Sequence, residues 1–313
     1  MTWHAGPADD RESLDRWCRA VGPPLVVRSP EHHESALPPP IAELVVVTWN
    51  AHLAEGNLPG LIESLRAGRL TNGRPARHFI LLLQELYRRG TDVPPSGPDT
   101  RSAHAILPRD PRAPDARDYS DALGLSMLYV PSMRNGAAML EDRGNAILST
   151  EPLAEIFALE LPFERQRRVA VGAAIQVRSP RGLQRLHVVN IHLEPLSAPS
   201  SLWIFRNPRR RQAAAVLDLL RSPRIAHDDQ SIGTVLGGDF NTIQGGVDEE
   251  AYLHAREWSH SLLTEDRRST HHMGRIDYLF FRLAPDWLAT TSRVDDKFGS
   301  DHHPVVGQFV SAR

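Results

Sequence analysis

Leu44-Val45-Val46-Val47-Thr48-Trp49-Asn50 and Phe79-Ile80-Leu81-Leu82-Leu83-Gln84-Glu85 are the two stretches that decide the fold. Each is a short apolar run, rich in β-branched residues or leucine, and reads as a strand buried on both faces. Each ends in polar side chains. Between them Leu58, Leu61, Ile62 and Leu65 recur at helical spacing over residues 57–67. The unit is strand–helix–strand, and sheets built from such units carry their sites at the strand ends.

Outward from this unit the strands multiply. Residues 125–130, 144–149, 169–177 and 186–191 read as four strands in a mostly antiparallel run. Asn207-Pro208 is an N-cap followed by proline at the first helical position. It opens a helix to about residue 220 that should bury Ala214, Val216, Leu217 and Leu220. Strands at 232–236, 276–281 and 304–309 close the chain. Residues 91–120, rich in Pro, Asp and Arg, read as a surface loop. This α/β pattern predicts two sheets packed face to face with helices outside. Residues 1–40 read as an N-terminal proline-rich extension with a short helical pattern over 11–20, and residues 41–313 as the main domain. The prolines of the extension cannot join a hydrogen-bonded ladder.

Bulk properties set the limits. A chain of 313 residues can bury one large core without dividing. Cys18 is the sole cysteine, which excludes an internal disulfide; it reads as a buried or half-buried thiol on the short helix. The N-terminus has neither a basic nor an apolar signal region, and no apolar run reaches membrane-spanning length. A cytoplasmic protein without a transmembrane segment is expected. The net charge of -2 gives no global cationic field to draw in nucleic acid or anionic lipid. Lys297 is the only lysine among many arginines, a bias that coding preference explains as readily as phosphate recognition.

Six polar motifs sit at the ends of the apolar runs: Thr48-Trp49-Asn50, Leu83-Gln84-Glu85, Asn190-Ile191-His192, Gly238-Asp239-Phe240-Asn241-Thr242, Arg275-Ile276-Asp277-Tyr278 and Ser300-Asp301-His302-His303-Pro304. Their carboxylates, amides and imidazoles are the groups that bind a hard divalent cation and hydrolyse a phosphate ester. In this order the series resembles the endonuclease/exonuclease/phosphatase (DNase I-like) superfamily, over residues 41 to about 310. The resemblance implies a four-layer α/β sandwich of two mixed, mostly antiparallel sheets flanked by helices. It also implies a cofactor, Mg²⁺ or alternatively Mn²⁺, held by Asn50, Glu85 and Asp301.

By the same resemblance Asp239 orients or deprotonates the attacking water and Asn241 holds a phosphoryl oxygen. His302 faces the phosphate, Asp277 fixes its tautomer, and His192 donates to a phosphate oxygen. Alternation along Asp239-Phe240-Asn241 puts both polar groups on one face while Phe240 points to the core. Arg168, in Glu164-Arg165-Gln166-Arg167-Arg168, either clamps a phosphate as a substrate-binding residue or is a solvated charge at the start of a strand. Arginines at 206 and 209–211 oppose a helix dipole, a conflict that a bound anion would offset. Trp203, Ile204 and Phe205 read as a hydrophobic staple. His303 and the pair His271-His272 are expected at the solvent or the rim, and further ligands at the short spacing of a zinc site are absent. The expected activity is phosphodiester hydrolysis, nuclease-like, on a phosphate-ester substrate that includes nucleic acid; no protein partner can be named. A sphingomyelinase-like phospholipase, an inositol-phosphate phosphatase and a catalytically dead binding scaffold of the same fold are the alternatives.

Overall fold

The computed structural model describes residues 1–29, 41–53, 55–98, 113–134, 140–179, 182–195, 207–223, 225, 230–242, 249–259 and 266–312. The first strand-forming run is β3 (Glu43–Asn50), preceded by two short strands, β1 (Thr2–His4) and β2 (Leu25–Val27). It pairs in parallel with β4 (Phe79–Arg89) across the helix α2 (Leu58–Arg66). The Asn57 side chain caps that helix by accepting the N–H of Gly60 at 3.0 Å.

The remaining strands are β5 (Ser126–Met133), β6 (Glu141–Ser149), β7 (Leu153–Glu160), β8 (Val169–Ser179), β9 (Gly182–His192), β10 (Ser231–Asp239), β11 (Asp277–Leu283), β12 (Trp287–Arg293) and β13 (Val305–Ser311). They form a six-stranded sheet, β1-β7-β8-β9-β10-β11, and a seven-stranded sheet, β12-β13-β3-β4-β6-β5-β2. Both sheets are mixed: β1–β7, β9–β10 and β3–β4 run parallel, and the other pairs run antiparallel.

Alternation sorts the side chains into three apolar layers. Val46, Leu82, Val171, Val188, Val235 and Leu279 belong to the core between the sheets. On the outside of the seven-stranded sheet, α2 and α3 (Ala116–Leu123) pack through Leu58, Leu61, Leu65 and Tyr119. Outside the six-stranded sheet, α4 (Pro208–Arg221) and α5 (Glu249–Trp258) bury Ala213, Val216, Leu217, Ala255 and Trp258. The expected four-layer α/β sandwich is present. Each fully buried valine or leucine side chain of these layers contributes about 1.5–3 kcal/mol of transfer free energy.

Several elements differ from the sequence expectation. The stretch 91–120 is not all loop, because Asp115 starts α3 with a capping box against Asp118. On α4, Ala213 is buried and Ala214 only half-buried. The N-terminal stretch is hydrogen-bonded into the sandwich: β1 extends one sheet at β7, and β2 extends the other at β5. Leu25-Val26-Val27 escapes the surrounding prolines and pairs at a sheet edge, where unpaired backbone groups await a partner. Helix α1 (Arg11–Cys18) lies between these strands and buries Leu14 and Trp17, while Cys18 is exposed rather than buried. Among the described residues no helix is long and apolar enough to cross a membrane.

Candidate active site

Three strand ends of the six-stranded sheet meet at one register. His192 closes β9, Asp239 closes β10 beside it, and Asp277 opens β11 directly opposite Asp239. Two carboxylates in neighbouring ladder positions repel each other and persist only with a compensating charge. His302 supplies it from the loop before β13. Its Nδ1 lies 2.9 Å from Asp277 Oδ2, and its Nε2 lies 3.9 Å from Asp239 Oδ2.

The chain reaches this register through a close approach. Gly238 has φ 151, and a Cβ there would stand 1.9 Å from the carbonyl oxygen of Ile191. Only glycine lets β10 run this tightly beside β9. Phe240 turns outward into the α4/α5 layer as the alternation predicts. Asn241, at φ 52, turns back so that its N–H donates to Asp239 Oδ1 at 2.8 Å and its Nδ2 to the Leu193 carbonyl at 3.0 Å.

The seven-stranded sheet supplies the opposite wall. Asn50, ending β3, donates Nδ2 to Asp239 Oδ2 at 3.1 Å and accepts the His52 N–H on Oδ1 at 3.0 Å. Glu85 sits where β4 shifts register against β6, at φ 54, a bulge that turns its side chain out of the ladder toward His192. Its Oε1 is 3.9 Å from His192 Nε2, and its Oε2 accepts a hydrogen bond from Arg143 at 3.0 Å. Buried amides stitch the two walls together. Asn190 donates to the carbonyls of Leu83 and Ala146 at 2.8 and 2.9 Å, and Gln84 donates to Asn190 Oδ1 at 2.6 Å. In the Asn190-Ile191-His192 motif the amide is therefore a clamp between sheets, and the imidazole alone faces the site.

Electrostatics separate the roles. Burial, reinforced by Asp277, pushes the Asp239 carboxyl up to about 7. Burial alone would lower His302, but Asp277, Asp239 and Asp301 outweigh it and raise the imidazole to about 10. Burial, with Arg168, Arg143 and His302 nearby, drives His192 well below its ordinary value. Near neutral pH the site therefore holds a charged His302, a neutral His192 and a carboxyl at Asp239 poised to give or take a proton.

Asp301 lies between two imidazoles, with Oδ1 3.0 Å from His52 Nδ1 and Oδ2 3.3 Å from His271 Nε2. Burial favours its neutral form, yet these hydrogen bonds and the His302 charge hold it well below the usual carboxylate range. His271 is not at the rim as expected. It is buried and stacks on His302 with ring centroids 4.5 Å apart, whereas His272 is exposed. Ligand atoms of His271, Asp301 and His302 fall within 4.8 Å of one another, as do those of Asp239, Asp277 and His302. Long sequence separation hid the first group, since His271 and Asp301 are thirty residues apart.

Arg168 is not solvated. It is buried, its Nε is 3.7 Å from Glu194 Oε2, and its Nε and Nη1 have no hydrogen-bond partner among the described residues. The α4 arginines meet protein groups rather than an anion: Arg209 donates to the Glu194 carbonyl, Arg210 reaches Glu250, and Arg211 reaches Glu164 and Asp10. Trp203, Ile204, Phe205 and Arg206 lie outside the described residues. His52, Arg143, Glu194 and His271 are the site residues that sequence reasoning missed. Arg143 had a faint signal, as a charged residue two positions before Asn145 at the mouth of a strand.

With this geometry in place, likeness to other proteins becomes informative. The sequence model described as the Endonuclease/Exonuclease/phosphatase family matches residues 47–302. No curated protein matches the sequence. Among solved structures, an endonuclease/exonuclease/phosphatase from Beutenbergia cavernae is similar, with 20% identity, 87% of this chain and 72% of that chain covered, and a TM-score of 0.54. The catalytic domain of human Nocturnin with bound sulfate has 18% identity, 91% and 99% coverage, and a TM-score of 0.51. A humanized D. rerio TDP2 has 15% identity, 87% and 100% coverage, and a TM-score of 0.52. At these identities the likeness shows a shared fold.

Proposed function

Because the chain belongs to the Endonuclease/Exonuclease/phosphatase family, whose model spans five of its six strand-end motifs in full and the sixth as far as His302, we propose that it hydrolyses a phosphodiester by in-line attack of water. The observation that carries this reading is the position of Asp239, contacted at once by Asn50, the Asn241 N–H, His192 and His302. A carboxyl near 7 suits a general base at neutral pH. Asp239 accepts the proton of the attacking water. His302, kept protonated by Asp277, directs its Nε2–H toward the phosphoryl oxygens where negative charge builds. His192 is neutral and donates a hydrogen bond to the same group, with the Asn241 amide beside it.

A hard divalent cation, Mg²⁺ or Mn²⁺, fits the donor set. Glu85 offers a partly exposed carboxylate, and Asn50 Oδ1 keeps a lone pair beyond the one taken by the His52 N–H. The raised Asp239 carboxyl marks buried negative charge that a cation would offset. Asn50, Glu85 and Asp301 would hold the ion, and when bound it supplies charge neutralisation at the phosphoryl group. Arg168 and Arg143 add fixed positive charge behind His192 and Glu85. A nuclease-like substrate, nucleic acid included, and a cytoplasmic setting belong to the same reading.

The test is turnover of bis(p-nitrophenyl) phosphate with Mg²⁺. Hydrolysis that is lost in EDTA and in Asp239→Ala is expected. A folded protein that never turns the diester over with Mg²⁺ or Mn²⁺ would overturn the proposal.

A further inference from the structure

Resting on that reading, we propose that His271 is a positioning residue that aligns Asp301 and His302. Its Nε2 lies 3.3 Å from Asp301 Oδ2, and its ring lies over His302 at an interplanar angle of 27°. The N–H of Met273 donates to His271 Nδ1 at 3.3 Å, which leaves the neutral ring its proton on Nε2. His271 is therefore a hydrogen-bond donor to Asp301. A metal ligand would need a lone pair on Nε2, so the spacing of His271, Asp301 and His302 does not make His271 a ligand.

The arrangement leaves Asp301 little freedom. His52 holds one carboxylate oxygen and His271 the other, so the remaining lone pairs have fixed directions. Partners of this kind around metal-binding carboxylates set ligand orientation. The same turn also controls His302. Thr270 Oγ1 accepts the N–H groups of Ile276 and Asp277 at 3.0 and 3.1 Å, and the Thr270 and His271 N–H groups donate to the Gly274 carbonyl. The N–H of His303 donates to the Thr270 carbonyl at 2.7 Å, which ties in the loop carrying Asp301 and His302. One turn thus delivers Asp277 to the edge of the His302 ring and His271 to its face.

Two substitutions separate donor from stack. His271→Phe keeps an aromatic face and removes the donor; His271→Gln keeps an N–H at a similar reach and removes the ring. Mn²⁺ binding is read by electron paramagnetic resonance, and kcat and KM on bis(p-nitrophenyl) phosphate are read separately. Thermal melts establish that each variant is folded. His271→Phe is expected to weaken Mn²⁺ binding and lower kcat by roughly 10- to 100-fold, the usual size for such partners. His271→Gln should recover most of the Mn²⁺ affinity. In an Asp301→Asn background His271→Phe should weaken Mn²⁺ binding no further, since the two act as a unit.

The inference is overturned if His271→Phe binds Mn²⁺ and turns over like the wild type. It is also overturned if its loss of affinity persists in full with Asn at 301, or if folded His271→Gln recovers nothing. Should the Phe variant not fold, His271→Asn, whose amide is too short to reach Asp301, carries the same expectation. A wild type that neither binds Mn²⁺ nor hydrolyses the diester would instead sink the functional reading itself.

Discussion

Replacing Asp277 by Asn should move both limbs of the pH profile toward acid. Asp277 touches His302 Nδ1 at 2.9 Å, and its carboxylate lies within 4.8 Å of that of Asp239. With charge centres about 4 Å apart and an effective dielectric near 20, the Asp277–His302 attraction is on the order of 4 kcal/mol, or roughly 3 pH units. The Asp277–Asp239 repulsion, at about 5 Å, is worth roughly 2 units by the same arithmetic. In the wild type, Asp239 must lose its proton, which sets an acidic limb near 7, and His302 must keep its own, which sets a basic limb near 10. Rate therefore rises as pH passes about 7 and falls as it passes about 10. Without the Asp277 charge the acidic limb should drop to roughly 5 and the basic limb to roughly 7. The assay is kcat/KM for bis(p-nitrophenyl) phosphate from pH 5 to 11 at fixed Mg²⁺, since that ratio titrates the free enzyme. Asp277→Asn should also lower the peak by roughly 100-fold or more, because the imidazole tautomer loses its anchor. A variant whose basic limb stays near 10 would refute the assignment of Asp277 as the charge that holds His302 protonated.

Asp239→Ala and His302→Ala should each remove most turnover while leaving the melting temperature within a few degrees, and full activity in both would refute the site. Gly238→Ala should destabilise the fold by roughly 2–4 kcal/mol, measured by urea unfolding, because the added Cβ meets the Ile191 carbonyl at 1.9 Å; an unchanged midpoint would contradict the close approach. Deleting residues 1–29 should lower stability markedly, since it removes β1, β2 and α1. It also strips the Gly22 N–H from Asp142 Oδ2, the carboxylate that pairs with Arg88. A truncated chain that melts like the full one would show the N-terminal stretch to be a mere appendage.

The strands that carry chemistry were legible because each buries both faces and must end abruptly in polar groups. The motifs that hold Asn50, Glu85, His192, Asp239, Asp277 and His302 could therefore be picked out at strand ends, while the roles expected of them came from the family resemblance. What joins them is a register, and a register is not written in any single run. That His192, Asp239 and Asp277 lie side by side follows from pairing strands whose facing residues stand 47 and 38 positions apart in the chain, and the clamp made by Asn190 follows from sheets stacking face to face. His271 was hidden by the same distance, its neighbour Asp301 arriving from another loop. Edge elements were lost for a different reason. In β12 the apolar signal is diluted by exposed positions that alternate with half-buried ones, and β2 is three residues among prolines. Arg168 illustrates the limit of charge as a guide to exposure, since a guanidinium at the start of a strand became a buried group beside His192.

The most direct test is turnover of plasmid DNA, single-stranded RNA, an abasic-site duplex, sphingomyelin and inositol phosphates with Mg²⁺, each beside Asp239→Ala. The account predicts cleavage of at least one diester class, abolished by EDTA and by the substitution. Release of phosphate from the monoesters alone, or diester cleavage that survives Asp239→Ala, would contradict it.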